Sequence, residues 1–158
     1  MVAGRAQGAA RGTARALLHH GSGPWPGSAV IPTRRILLAD DDNALRAGVA
    51  DLLCELGLEV VEAQTGLEAV EQARSCRIHA ALLDLHMPEC TGLEAIPLLH
   101  TAQVGLPCIV YSGALTADLE LAARQAGAFA VLSKPVKPTL LRSEILRALE
   151  SGHTPLDS

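Results

Sequence analysis

Ile36-Leu37-Leu38-Ala39-Asp40-Asp41-Asp42 is an apolar run that ends on three carboxylates. The same grammar recurs three times downstream. Ala80-Ala81-Leu82-Leu83 ends in Asp84, Cys108-Ile109-Val110-Tyr111 in Ser112, and Ala130-Val131-Leu132-Ser133 in Lys134-Pro135. Near-continuous apolar runs of four residues read as strands buried on both faces, which is the habit of a parallel sheet. In such a sheet the carboxyl ends of the strands lie together. One place therefore gathers carboxylates, a hydroxyl and an ammonium, a set that suits Mg2+ and a phosphoryl group.

Between these runs the period changes from strand to helix. Leu45, Val49, Leu52, Leu53 and Leu56 recur at helical spacing and stop at Gly57. Leu67 to Arg74 reads as a helix entered through Thr65-Gly66. Gly92 to about His100 reads as another, which Pro97 is expected to kink or shorten. Thr116 to Gln125, closed by Gly127, and Thr139 to Glu150, with Leu141, Ile145 and Leu149 on one face, complete the set. Leu58-Glu59-Val60-Val61-Glu62-Ala63 is a more polar strand and belongs at an edge. Five βα units follow one another in about 115 residues. Strict alternation implies a doubly wound α/β fold, a flavodoxin-like (βα)5 three-layer sandwich with parallel strand order 2-1-3-4-5. Its chain direction reverses between strands 1 and 3, where such sheets bind ligands. Asp40, Asp41 and Asp84 fall at that crevice.

Composition narrows the function. Aromatic residues make up 2% of the 158, too few for a protein that stacks on bases or sugars. The formal net charge is -4, and residues 1–33 hold Arg5, Arg11 and Arg15 with no acid, so the remainder carries about -7. That acidic domain has no claim on nucleic acid. Cys54, Cys76, Cys90 and Cys108 lack metal-site spacing and read as reduced thiols of a cytoplasmic protein. No run reaches the length of a membrane span. Residues 1–33, rich in Ala, Gly and Arg, are expected to be a disordered extension. They also fit an organelle transit peptide, or a leader ahead of a true start near Val30. Residues 34–150 form the domain and 151–158 a flexible tail.

The ordered set of motifs resembles the receiver domain of two-component response regulators, over about three quarters of the chain. The set comprises an acidic pair after strand 1, Asp84-Leu85-His86-Met87-Pro88 with Gly92 after strand 3, Ser112 after strand 4, and Lys134-Pro135 after strand 5. The resemblance implies that Asp84 accepts a phosphoryl group. It implies that Asp41, Asp84 and the backbone carbonyl of His86 hold Mg2+, with Asp40 acting partly through water. Asp42, with Asn43, is expected to cap the first helix instead. Ser112 and Lys134 would bind the phosphoryl oxygens, and Lys134-Pro135 resembles a bond often cis in this family. Met87 and Pro88 would shape the loop, Gly92 would permit a tight turn, and the His86 side chain is expected to point away.

Two positions depart from the resemblance. Val131 stands where the family usually has a bulky aromatic switch residue, and Phe129 does not align with it. Val136 follows Lys134-Pro135 where Phe is frequent. The implied function is that of a single-domain regulator similar to the stand-alone receivers of chemotaxis. It would take its phosphoryl group from a sensor histidine kinase or a phosphotransfer protein and signal to a downstream effector protein. It would not bind nucleic acid or membrane directly, and it could pair with itself through the fourth helix, fifth strand and fifth helix. It would be a phospho-acceptor rather than an enzyme. A receiver-fold interaction module that works without phosphate is the alternative, supported by Val131. Phosphatases of the haloacid-dehalogenase type also form an aspartyl phosphate, but they carry a second aspartate where this chain has His86.

Overall fold

Five strands alternate with five helices along the chain: β1 Arg35–Ala39, α1 Asn43–Glu55, β2 Glu59–Ala63, α2 Gly66–Ser75, β3 Ala80–Asp84, α3 Gly92–Ala102, β4 Cys108–Ser112, α4 Ala117–Gln125, β5 Ala130–Ser133 and α5 Pro138–Ser151. The computed structural model describes residues 33–151. Of the extension and tail expected at 1–33 and 151–158, residues 1–32 and 152–158 lie outside the described residues, and Ser151, expected in the tail, closes α5. The strands form one parallel sheet in the order β2-β1-β3-β4-β5. The polar strand β2 sits at the edge, as its two glutamates require.

Side chains alternate across a strand, so each strand feeds two cores. Leu37, Ala39, Ala81, Leu83, Cys108 and Val110 meet the apolar sides of α2, α3 and α4. Ile36, Leu38, Ala80, Leu82, Ile109 and Tyr111 meet α1 and α5. All twelve are at most 1% exposed. The sheet is thus dry on both faces, and only its two ends can carry chemistry. No helix among the described residues is long and apolar enough to cross a membrane.

Helix starts follow the local sequence. Asp42, Thr65, Thr91 and Thr116 each accept a backbone N–H at the first turn of α1, α2, α3 and α4. Thr91 and Glu94 close a reciprocal capping box. The cap on α1 takes Asp42 away from the acidic pair. Pro97 does not shorten α3, which continues to Ala102; the strong cap and the buried Ala95, Ile96 and Leu99 outweigh one missing hydrogen bond. All four cysteines are free, and burial pushes the Cys108 thiol up to about 12, so it stays protonated.

Candidate functional site at the carboxyl end of the sheet

Strand register decides which polar groups meet. Asp84 is the last residue of β3 and pairs with Tyr111 of β4. Asp40 and Lys134 continue the alternation of Leu38 and Leu132, so both emerge on the α1–α5 side with Asp84. Ligand oxygens of Asp40, Asp41 and Asp84 lie within 4.8 Å of one another. Asp40 and Asp84 are buried, at 0% and 4% exposure, while Asp41 is exposed at the rim.

One ammonium answers the two buried carboxylates. Lys134 Nζ lies 3.3 Å from Asp84 Oδ2 and 3.5 Å from Asp40 Oδ2. The Lys134-Pro135 bond is cis. Burial pushes the Asp84 carboxyl above the usual carboxylate range, and Asp40 adds to the rise. The His86 N–H, which donates to Asp84 Oδ1 at 3.1 Å, and Lys134 pull it back. A buried carboxylate held above its ordinary pKa beside a second one is short of positive charge. Three clustered carboxylate ligands suit a small hard cation such as Mg2+, which takes oxygen donors and keeps several waters.

Loop contacts set these groups in place. The Asp40 N–H donates to the Ala63 carbonyl at 3.0 Å, and Asp42 N–H donates to Asp40 Oδ1 at 2.9 Å. Arg46, 8% exposed, donates to the Asp40 carbonyl at 2.6 Å and pairs with Glu62 at 3.0 Å. The sequence reading passed over Arg46. Its signal was a lone arginine on the stripe of α1 shared with Ala50 and Leu53.

Gly92 has a different task from the one expected. Its backbone is not in the left-handed region that favours glycine; a Cβ there would lie 2.6 Å from the Asp84 carbonyl oxygen. Close approach of α3 to the end of β3, rather than a tight turn, excludes a side chain. The left-handed turn residue of this loop is Glu89, with φ of 69°. Met87 is buried at 5% exposure, and Pro88 is exposed beside it.

His86 also corrects the sequence reading. Its side chain does not point away. Nε2 lies 2.9 Å from Ser112 Oγ, which in turn accepts the Ala114 N–H at 3.0 Å. The turn closed by His86 N–H on Asp84 Oδ1 brings residue 86 back across the strand ends toward β4, which no linear spacing reveals. Ser112 shares the alternation of Val110 and is fully buried. Val131 is half-buried against the α2–α4 core, whereas Phe129 joins the α1–α5 core with the Arg147 guanidinium 5.1 Å from its ring centre.

Comparisons with known proteins agree with this geometry. Residues 36–146 match the response regulator receiver domain family. The chain is 35% identical over 115 residues to the transcriptional regulatory protein PdtaR of Mycobacterium tuberculosis, covering 72% of this chain and 56% of that protein. It therefore spans little more than half the length of that relative. A crystal structure of a CheY-like receiver domain protein from Methanospirillum hungatei is 29% identical, with a TM-score of 0.73, covering 77% of this chain and 97% of that one. The receiver domain of the sensor histidine kinase PA1611 from Pseudomonas aeruginosa is 25% identical, with a TM-score of 0.69, covering 75% and 99% of the two chains. That structure has a magnesium ion coordinated in its active site cleft. A sheet in the order 2-1-3-4-5 with acidic, hydroxyl and lysine groups at its carboxyl end, matched over residues 36–146, places this chain in the response regulator receiver domain family.

Proposed function

We propose that the chain is a Mg2+-dependent phospho-acceptor of a two-component phosphorelay, taking a phosphoryl group on Asp84 from a sensor histidine kinase or a phosphotransfer protein. The observation that carries this reading is the Asp84–Lys134 ion pair at 3.3 Å, set beside two further carboxylates. An Asp84 carboxylate oxygen forms the new P–O bond as the donor P–N bond breaks, and the donor nitrogen keeps the electron pair. Asp41, Asp84 and the His86 carbonyl would hold Mg2+, with Asp40 acting partly through water, and the ion would supply positive charge against the phosphoryl oxygens.

The rest of the work falls to this chain's own groups. Lys134 already stands against Asp84 and would follow the negative charge onto the phosphoryl group. Ser112 has to leave His86 to donate its hydroxyl to a phosphoryl oxygen, and Gly113, Ala114 and Leu115 follow it. These residues lead into α4, whose one buried residue is Ala123, against four each in α2, α3 and α5. The least anchored helix therefore adjoins the switch hydroxyl. Phosphorylation shifts the populations of the α4–β5–α5 face, which presents the signal to an effector protein in the cytoplasm. Leu121 on α4 and Leu140 and Leu146 on α5 are exposed, so both helices that flank β5 carry apolar groups at their surface.

One assay tests the reading. The protein, incubated with Mg2+ and acetyl phosphate or phosphoramidate, is resolved on a phosphate-affinity gel. A base-labile shifted band that disappears in Asp84→Ala supports it. No band from folded protein overturns it in favour of the phosphate-independent interaction module, the reading that Val131 favours. Steady turnover of a separate phosphorylated metabolite would make the chain an enzyme instead of a phospho-acceptor.

A further inference from the structure

Tyr111 is the chain's one tyrosine, in a strand otherwise built of Cys108, Ile109, Val110 and Ser112. It is 1% exposed, yet its hydroxyl donates to Asp40 Oδ2. The two residues are 71 apart in sequence and stand on opposite sides of β3. Crossing one intervening strand means bridging about 10 Å between backbones. Only a long side chain with a polar tip does so from a buried strand, so an aliphatic residue could fill the volume but not reach the carboxylate.

The contacts of Asp40 make that hydroxyl consequential. Oδ1 takes the Asp42 N–H, and Oδ2 takes the Tyr111 hydroxyl with Lys134 Nζ farther off at 3.5 Å. The tyrosine therefore fixes the rotation of a carboxylate that is 0% exposed. The same ring lies beneath Lys134, whose Nζ is 4.7 Å from the ring centre. A cation over a desolvated ring is attracted by its face. One side chain thus touches both the acidic and the basic half of the site.

We propose that Tyr111 is a positioning residue of the phosphorylation site, aiming the Asp40 carboxylate through its hydroxyl and seating the Lys134 ammonium on its ring. The inference rests on the phospho-acceptor reading above. It assigns to strand β4 an aromatic that organises the site in a chain whose usual aromatic position on β5 holds Val131. The two halves of the role separate by substitution. Tyr111→Phe removes the hydroxyl and keeps the ring. Tyr111→Leu removes both and keeps an apolar filler.

The test titrates each protein with MgCl2 by calorimetry and measures the phosphoramidate phosphorylation rate against Mg2+. Tyr111→Phe is expected to raise the Mg2+ half-saturation about 5-fold to 10-fold, the loss of one hydrogen bond to a charged group. Its rate at saturating Mg2+ should stay within about 2-fold of the parent, because Lys134 keeps its seat. Tyr111→Leu is expected to show the same weakening and a further drop of about 3-fold or more in that saturated rate. A pure packing role would lower the melting temperature without separating the two quantities. In the unsubstituted protein, the single tyrosine 13Cζ resonance should move with Mg2+ at the calorimetric half-saturation. A stationary resonance overturns the inference even where the variants do not fold. So does unchanged Mg2+ affinity in folded Tyr111→Phe. An unsubstituted protein that takes no phosphoryl group overturns the phospho-acceptor reading, and this inference with it.

Discussion

The two ends of the sheet treat buried charge in opposite ways. At the amino ends of the strands, Arg35 pairs with Glu59 at 2.8 Å and donates to the Arg77 carbonyl. Arg34 donates to the Leu149 carbonyl, and the Arg35 N–H donates to His79 Nδ1 at 2.9 Å. Each of these groups meets an acceptor suited to it. At the carboxyl ends, Asp40 and Asp84 share the Lys134 ammonium, with Asp41 adding a third negative charge at the rim. Hydrogen bonding does not distinguish the ends, because no buried side-chain polar atom lacks a partner among the described residues. The difference is net charge. Arg34, Arg35 and Arg77 against Glu59 leave the amino end positive, with Arg34 and Arg35 spent on carbonyl acceptors, whereas Asp40, Asp41 and Asp84 against Lys134 leave a negative crest that suits a cation.

The sharpest way to break this contrast is Asp84→Asn. The phosphorylated band should vanish completely, and in EDTA the variant should melt higher than the parent by about 1 kcal/mol of stability. The sign follows from the raised pKa. The folded state holds the Asp84 proton better than the unfolded chain, whose value is near 3.8. Stability therefore declines as pH rises from 3.8 through the folded value, and the penalty persists at neutral pH. Asparagine carries no such penalty. A lower melting temperature in EDTA would mean that Asp84 is balanced after all.

Lys134→Met tests the other partner. Two buried carboxylates would face each other without their cation, at a cost of about 2–4 kcal/mol in EDTA. Millimolar Mg2+ should recover part of it, since ligand binding to the folded state adds stability. Denaturant melts with and without Mg2+ read this directly. Arg35→Met, at the far end, should lose stability by the same amount in both conditions.

Gly92→Ala tests backbone packing at the crest. The new Cβ meets the Asp84 carbonyl at 2.6 Å, so helix α3 must shift, at about 1–3 kcal/mol. Gly48→Ala, within α1 and with nothing inside 4 Å, should instead stabilise by about 1 kcal/mol. Opposite shifts in urea midpoint are the expected outcome.

The smallest effect belongs to His79. Burial and the charges of Arg77, Arg34 and Arg35 lower its pKa from 6.5, and its ring accepts a hydrogen bond as the neutral form. The unfolded chain binds that proton more readily, so stability is lost as pH falls below 6.5. The loss should stay under about 1 kcal/mol, because the ring is partly solvated. Asn in place of His79 should flatten the melting temperature across that range; an unchanged slope would clear the residue.

Much of the fold was legible because it is written locally. Four apolar runs with polar ends fixed the strands, the two glutamates of β2 placed it at an edge, and Asp42, Thr65 and Thr116 announced helix starts. The acidic pair, Asp84, Ser112 and Lys134 were legible for the same reason, since each ends a strand. Arg46 and the Tyr111 hydroxyl were not read, and the His86 side chain was read as pointing away. Their partners are Asp40, Asp40 and Ser112, reached across a helix, a strand and a loop. Gly92 was noticed for the wrong reason, because the carbonyl it must clear belongs to another element.

Sequence alone determined the period of each element, the polarity of each strand end and the sign of the charge collected at the crest. These depend on neighbours a few residues apart, where propensity and alternation operate. Tertiary structure alone decided which carboxylate oxygen the Tyr111 hydroxyl takes, that His86 turns toward Ser112, and that Gly92 must be bare. Those outcomes depend on distances between strands brought together by register, and register emerges only when both cores close around the sheet at once.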